Sequence, residues 1–245
     1  MNNIEIKYSL TMQTAFFIGS GLGIAGVVDK GCLKDVNGFV YIPGSSIKGK
    51  IRYFCKQLIQ LKQFKTSIPV CQTLSNPEIC KTNTPCLICK LFGSSFTEGA
   101  LQFLDAKLKQ ELQEALKSGE SARSLLDAKY QVSFRSNNKI NRYSQITEKG
   151  HLFTSEVGES GLEFEGKIIG TIDGEIMDKV PMNFAFLVAG MNLVNNIGGQ
   201  KSRGLGYIKN LEIEYIKVEN KPYQFSDLTE EMETDIKLFL QGEVL

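Results

Sequence analysis

The stretch Tyr41-Ile42-Pro43-Gly44-Ser45-Ser46-Ile47-Lys48-Gly49-Lys50-Ile51-Arg52-Tyr53-Phe54 constrains the fold more than any other. Pro43-Gly44 is a turn signal that ends the short apolar run Phe39–Ile42. Ser45 or Ser46 then offers a side-chain oxygen to cap a helix. Ile47, Ile51, Phe54 and Leu58 share one face of that helix, at spacings of four, three and four. Lys48, Arg52 and Lys56 take the other side. From Gly44 to Thr66 there are six basic residues and no acid. The expectation is a strand, a tight turn and a basic amphipathic helix. Such a helix N-terminus favours an anion through its free N–H groups and its dipole. A capped helix with a solvated basic face accounts for the same pattern.

Two nucleotide motifs are approached and excluded. Gly44-x4-Gly49-Lys50 is close to a phosphate-wrapping P-loop, but that loop needs Ser or Thr next to hold magnesium, and Ile51 stands there. Gly21-x-Gly23-x-x-Gly26 has the dinucleotide-binding spacing, yet Val27–Gly31 and Gly38 leave no room for the helix it requires. A flexible loop is expected at 19–26.

The 245 residues allow one elaborated domain, and an apolar share of 42% is ample for a core. The net charge of +1 announces no polyanionic partner, but its distribution is uneven. Basic residues gather at 44–66 and at Lys201, Arg203 and Lys209, while Asn210–Leu245 holds nine acids against three lysines. No apolar run approaches the ~20 residues of a membrane helix. Asn2, Asn3, Glu5 and Lys7 do not begin a signal peptide, so a cytoplasmic location is expected. Six cysteines in such a chain suggest thiols or metal ligation rather than disulfides.

Along the chain, Asn3–Phe17 alternates as a first strand. Ala100–Asp105 reads as a strand and Ala106–Gly119 as a helix with Leu108, Leu112 and Leu116 on one side. Tyr130–Phe134 is a short strand, and the polar 135–151 stretch an exposed hairpin. Leu152–Glu156 and Gly161–Ile172 are strands, and Asp178–Asn195 is an apolar helix. A loop, Gly198-Gly199-Gln200-Lys201-Ser202-Arg203-Gly204-Leu205-Gly206, precedes a closing strand Tyr207–Val218 and an acidic helix Leu228–Gln241. Its glycines would let a backbone approach a phosphate while Lys201 and Arg203 supply charge. A mobile surface turn has the same composition.

The segment 66–92, which contains Pro69 and Pro77, carries Cys71-x8-Cys80-x5-Cys86-x2-Cys89. Four thiolates close a tetrahedral structural zinc site, and a segment so poor in apolar residues gains its order from the metal. Four unrelated buried thiols are the alternative. Cys55 is expected to pack on its helix. His151 is the single histidine, which excludes catalysis by a histidine pair within one chain.

Ile42-Pro43-Gly44-Ser45-Ser46-Ile47-Lys48-Gly49-Lys50-Ile51-Arg52 resembles the signature of the RAMP superfamily, the RNA-binding proteins of CRISPR systems, and most closely the backbone subunits of type III effector complexes. The loop at 198–206 resembles the family's glycine-rich loop, and Cys89-Lys90-Leu91-Phe92-Gly93 a segment of its zinc-binding insertion. Val28–Asp35 resembles the segment in which the first Asp cleaves target RNA, the register Asp29 takes; Asp35 takes that of a second, structural Asp. Asn141-Arg142, after Ile140, match part of the family's thumb hairpin, though Tyr143-Ser144 replace the usual Pro-Arg.

The fold expected is α+β: one RAMP domain over 1–245 with a ferredoxin-like, RRM-like core, a zinc-binding insertion at 66–92 and a thumb near 135–151. The resemblance implies a subunit that stacks in copies along a guide RNA, beside other type III subunits, and cuts complementary target RNA at intervals. Asp29 would be catalytic, with a divalent cation such as Mg2+. RNA would lie on Gly44, Ser45, Ser46, Lys48, Lys50, Arg52, Asn141, Arg142, Gly198, Gly199, Lys201, Ser202 and Arg203. Cys71, Cys80, Cys86 and Cys89 would hold structural zinc. The alternatives are a non-catalytic capping subunit of the same complex and a stand-alone zinc-containing RNA-binding module.

Overall fold

The computed structural model describes residues 2–23, 25–60, 85–118, 131–172, 182–219 and 221–223. In chain order these form β1 (Asn2–Met12), β2 (Tyr41–Ile42), α1 (Gly44–Gln60), α2 (Leu87–Phe92), β3 (Leu101–Phe103), β4 (Ala106–Leu108), α3 (Gln110–Ser118), β5 (Val132–Ile140), β6 (Thr147–Gly158), β7 (Glu163–Ile172), α4 (Met182–Asn192), β8 (Ile208–Val218) and β9 (Lys221–Tyr223). A 3₁₀ turn spans Lys201–Arg203.

β1 organises the sheet. Its residues Ile4, Ile6, Tyr8, Leu10 and Met12 are buried, as the period of two along a strand requires. It pairs antiparallel with β7 on one side and β8 on the other. Among the described residues the sheet has seven strands, ordered β2-β4-β7-β1-β8-β9, with β3 also on β7. Among the described residues its paired strands run antiparallel. β5 and β6 form a separate two-stranded hairpin.

Both long helices pack together on the core. Ile47, Ile51, Cys55 and Ile59 of α1 are buried, as are Phe184, Leu187, Val188 and Met191 of α4. The opposite sheet face is a ladder of charges. Lys7 lies between Glu165 (2.9 Å) and Glu214 (2.7 Å), and Lys167 pairs with Glu5 (3.1 Å). The hydrogen bond from Lys7 to Glu214, then that to Glu165, holds the lysine well above the ordinary ammonium range. Cross-strand opposite charges stabilise one another, and this face offers few uncommitted cations to a polyanion.

The mixed α/β architecture with antiparallel sheets agrees with expectation, with four local differences. Ala106–Leu108 is strand β4, because Ala106 and Leu108 alternate into the core and pair with Ile42 and Phe164; α3 begins at Gln110. β5 extends through Ile140, beyond the expected end at Phe134. Leu87–Phe92, assigned to the insertion, is a buried helix whose Phe92 stacks on Phe103 at 5.8 Å. α1 starts at Gly44 rather than after a serine cap. Among the described residues no helix is long and apolar enough to cross a membrane. The expected helix Leu228–Gln241 lies outside the described residues.

Candidate functional site

The start of α1 is fixed from outside the helix. Pro43 O accepts Ser46 N (2.9 Å) and Ile47 N (3.3 Å), and Gly44 N donates to Asp105 Oδ1 (2.8 Å). The carboxylate between β3 and β4 thus satisfies a backbone donor that the helix cannot. A Cβ on Gly44 would lie 1.9 Å from Phe103 O, so only glycine lets the helix begin there. Ser45 and Ser46, displaced from the capping role, line a cleft instead.

That cleft, of about 990 Å³, runs between α1 and the chain at 195–201. Lys50 enters from α1 and its Nζ donates to Asn196 Oδ1. Lys201 enters from the glycine-rich loop. Burial first, then the neighbouring Lys201, pull the Lys50 ammonium down to about 8. An anion between the two lysines would relieve their repulsion. Gly198, at φ 84°, would place a Cβ 2.4 Å from Phe17 O, and Gly199 N donates to the same oxygen (2.8 Å). Gly198 therefore seats the loop on Phe17, a use distinct from the phosphate approach expected of it. Lys201, Ser202 and Arg203 are all exposed. Arg203 Nη1 reaches Asn137 Oδ1 on β5 (3.3 Å), linking the loop to the hairpin.

Lys48 and Arg52 face a second cleft, of about 430 Å³, on the other side of α1. Its far wall is the loop Gly93–Gly99, closed by Ser94 Oγ accepting Phe96 N (3.3 Å) and Thr97 N (3.1 Å). Glu98 also lines this cleft.

Asp29 is exposed, and the edge of β6 holds it. Thr154 N donates to Asp29 Oδ2 (2.6 Å), while Asp29 N and Lys30 N donate to Thr154 O (2.9 and 3.2 Å). Behind it, buried Glu156 accepts Cys32 N at Oε2 (2.9 Å) and Lys34 Nζ at Oε1 (2.6 Å). Burial, then Glu156, pushes the Cys32 thiol up to about 11, so it stays protonated at neutral pH. Gly19, on the wall of the first cleft, bridges to Cys32, which ties the Asp29 loop to that cleft. Asp35 Oδ1 accepts Asn37 N and Phe39 N (both 2.9 Å), closing its turn. Gln131 holds the same turn, accepting Val40 N (2.8 Å) and donating to Gly38 O (2.6 Å).

At the hairpin tip, Asn141 Oδ1 accepts Tyr143 N (2.9 Å) and Ser144 N (3.2 Å). Asn141 thus builds the turn and throws Arg142 and the fully exposed Tyr143 outward. The cysteines divide. Cys86 precedes α2 and Cys89 lies in its first turn, both buried; Cys71 and Cys80 lie outside the described residues. Cys55 is buried between the helices, as expected, and its Sγ donates to Phe186 O (3.2 Å). Asp105, Gln131, Glu156 and Asn196 carried no signal in the sequence, because each acts on a partner distant along the chain.

Residues 9–209 match the family model of the RAMP superfamily. The chain belongs to that superfamily. It is 26% identical over 226 residues to the CRISPR system Cms endoribonuclease Csm3 of Methanocaldococcus jannaschii, covering 88% of this chain and 84% of that protein. Its fold is similar to chains in two cryo-EM structures. One is the type III-B Cmr-beta complex bound to cognate target RNA, with a TM-score of 0.57, 13% identity, and coverage of 85% of this chain and 96% of that one. The other is the apo state, with a TM-score of 0.56, 14% identity, and coverage of 86% and 97%.

Proposed function

We propose that this RAMP protein is a repeating backbone subunit of a type III CRISPR ribonucleoprotein, which grips guide RNA and cuts the paired target RNA. The convergence of Lys50 and Lys201 in one cleft carries the reading. The signature helix and the glycine-rich loop lie far apart in sequence, and each brings one cation to the same space. Exposed Arg203 adds a cation to the same loop, and Lys48 and Arg52 place two more in the second cleft, on the other side of α1. Pairing with the guide, rather than side chains, would select the target. The similarity to an endoribonuclease Csm3 supports the same assignment. Copies of the chain, other type III subunits, guide RNA and complementary target RNA are the partners this implies. The strand order β4-β7-β1-β8, with α1 and α4 on one face, supports a ferredoxin-like core.

Asp29 would position the target's 2′-hydroxyl for attack on the adjacent phosphate. Its backbone and one carboxylate oxygen are held by Thr154, so the group is aimed without being buried. Among the described residues no three His, Cys, Asp or Glu group to hold a metal. A divalent cation at Asp29 would draw its remaining ligands from RNA and water, as Mg2+ commonly does, and would supply charge stabilisation. For zinc, Cys86 and Cys89 stand three apart at a helix N-terminus, a fitting half-site for thiolates. Cys71 and Cys80 would complete a closed structural site.

The grip is tested by alanine substitution of Lys48, Arg52, Lys201 and Arg203. Each loss should weaken guide binding regardless of sequence and lower the salt slope by about one unit. Unchanged affinity and slope in all four would place the RNA elsewhere.

A further inference from the structure

We propose that the Lys50–Lys201 cleft receives a base as well as a phosphate, and that an unpaired RNA base stacks on Tyr53. The inference rests on the RNA reading above and adds to it a residue to which neither signature assigns a role.

Tyr53 belongs to α1 but stands apart from its packed face. Ile51 and Cys55 on either side are fully buried, whereas Tyr53 is 54% exposed and lines the cleft. Its ring is not loose, because it meets Phe54 edge-on at 5.3 Å and 76°. Lys50 lies three residues earlier, about 4.5 Å along the helix axis, and its Nζ sits 5.9 Å from the Phe54 centroid. Half-buried Phe17 adds a further aromatic surface to the same cleft. Aromatic rings interleaved with cations are the chemistry of single-stranded nucleic-acid binding, in which every base offers a π-face. A volume of about 990 Å³ is ample for a nucleotide-sized ligand. No acid is among the described lining residues, so no described side chain there repels a phosphate. A solvated helix tyrosine would show the same exposure, but it would have no reason to share a cleft with two converging lysines.

The chain contains no tryptophan, so Tyr53→Trp installs the sole indole at the proposed contact. The full-length protein is titrated with a short oligoadenylate and with an abasic ribose-phosphate oligomer of equal length. The oligoadenylate should quench the indole, and the abasic oligomer should not. Against the wild-type chain, the abasic oligomer should bind about tenfold more weakly, the loss expected for one stacked base. Tyr53→Ala should bring oligoadenylate down to that same level, while Tyr53→Phe should retain tight binding. Equal affinity for the two oligomers with no effect of Tyr53→Ala overturns the base site and leaves a simple phosphate grip. Equally tight binding of polyglutamate overturns it in favour of an acidic protein partner. Binding of neither oligomer overturns the RNA reading of the cleft and this proposal with it.

Discussion

Raising the pH from about 7 to about 9 should weaken RNA binding roughly tenfold through a single side chain, Lys50. Burial and then Lys201 bring its ammonium down from 10.5 to about 8 in the free protein. A phosphate in the cleft favours the charged form, so binding draws a proton onto Lys50 whenever it is neutral. With a midpoint near 8, about nine-tenths of the free protein carries that proton at pH 7 and about one-tenth at pH 9. Affinity follows that fraction if the bound ammonium titrates near its ordinary value. The stability of the free chain changes with the opposite sign. Between about 8 and 10.5 the unfolded chain holds more protons than the folded one, so the free fold gains stability as pH rises. The assay is a titration with an oligoadenylate, whose bases do not ionise in this range, at fixed low salt. Lys50→Arg should bind with a nearly flat profile, because a guanidinium stays charged throughout. A flat profile in the wild type, or an unchanged slope in Lys50→Arg, would refute the linkage.

Two further outcomes concern structure and metal. Gly44→Ala must displace Phe103 O or the helix start and should cost about 1–3 kcal/mol, and Asp105→Ala, which removes the partner of Gly44 N, about 0.5–2 kcal/mol; denaturant unfolding reads both. Elemental analysis of the purified chain should find about one zinc per subunit, released by Cys86→Ser or Cys89→Ser, whereas a metal-free chain with unchanged stability would remove the zinc reading.

Much of this arrangement was legible because its signals are local. A Pro-Gly turn and an apolar stripe at 47, 51, 54 and 58 specify a strand, a turn and a helix without reference to the rest of the chain. What was not legible depends on partners far away. Ser45 and Ser46 read as caps because the true partner of the helix start, Asp105, lies 61 residues on. Ala106–Leu108 read as helix because Leu108, Leu112 and Leu116 continue at a spacing of four, while pairing with Ile42 and Phe164 makes a strand of its first part. The register of Asp29 was legible from its segment, but not its support, because Thr154, which fixes the carboxylate, lies 125 residues away. Glu156 ends the expected strand Leu152–Glu156, and nothing in that local pattern hints that its buried carboxylate holds Cys32 and Lys34, more than 120 residues earlier. The glycines of 198–206 announced a tight loop, but not that Gly198 is needed for Phe17.

The most direct test of the central claim is the cleavage of labelled target RNA by complexes assembled on guide RNA with wild-type or Asp29→Ala subunits, compared at equal target occupancy. The account predicts a ladder of regularly spaced products from the wild type, each ending in a 2′,3′-cyclic phosphate because the RNA supplies its own nucleophile. The Asp29→Ala complex should assemble and bind target normally yet yield no ladder. A variant that cuts at the wild-type rate would contradict the assignment and favour a capping or binding-only subunit.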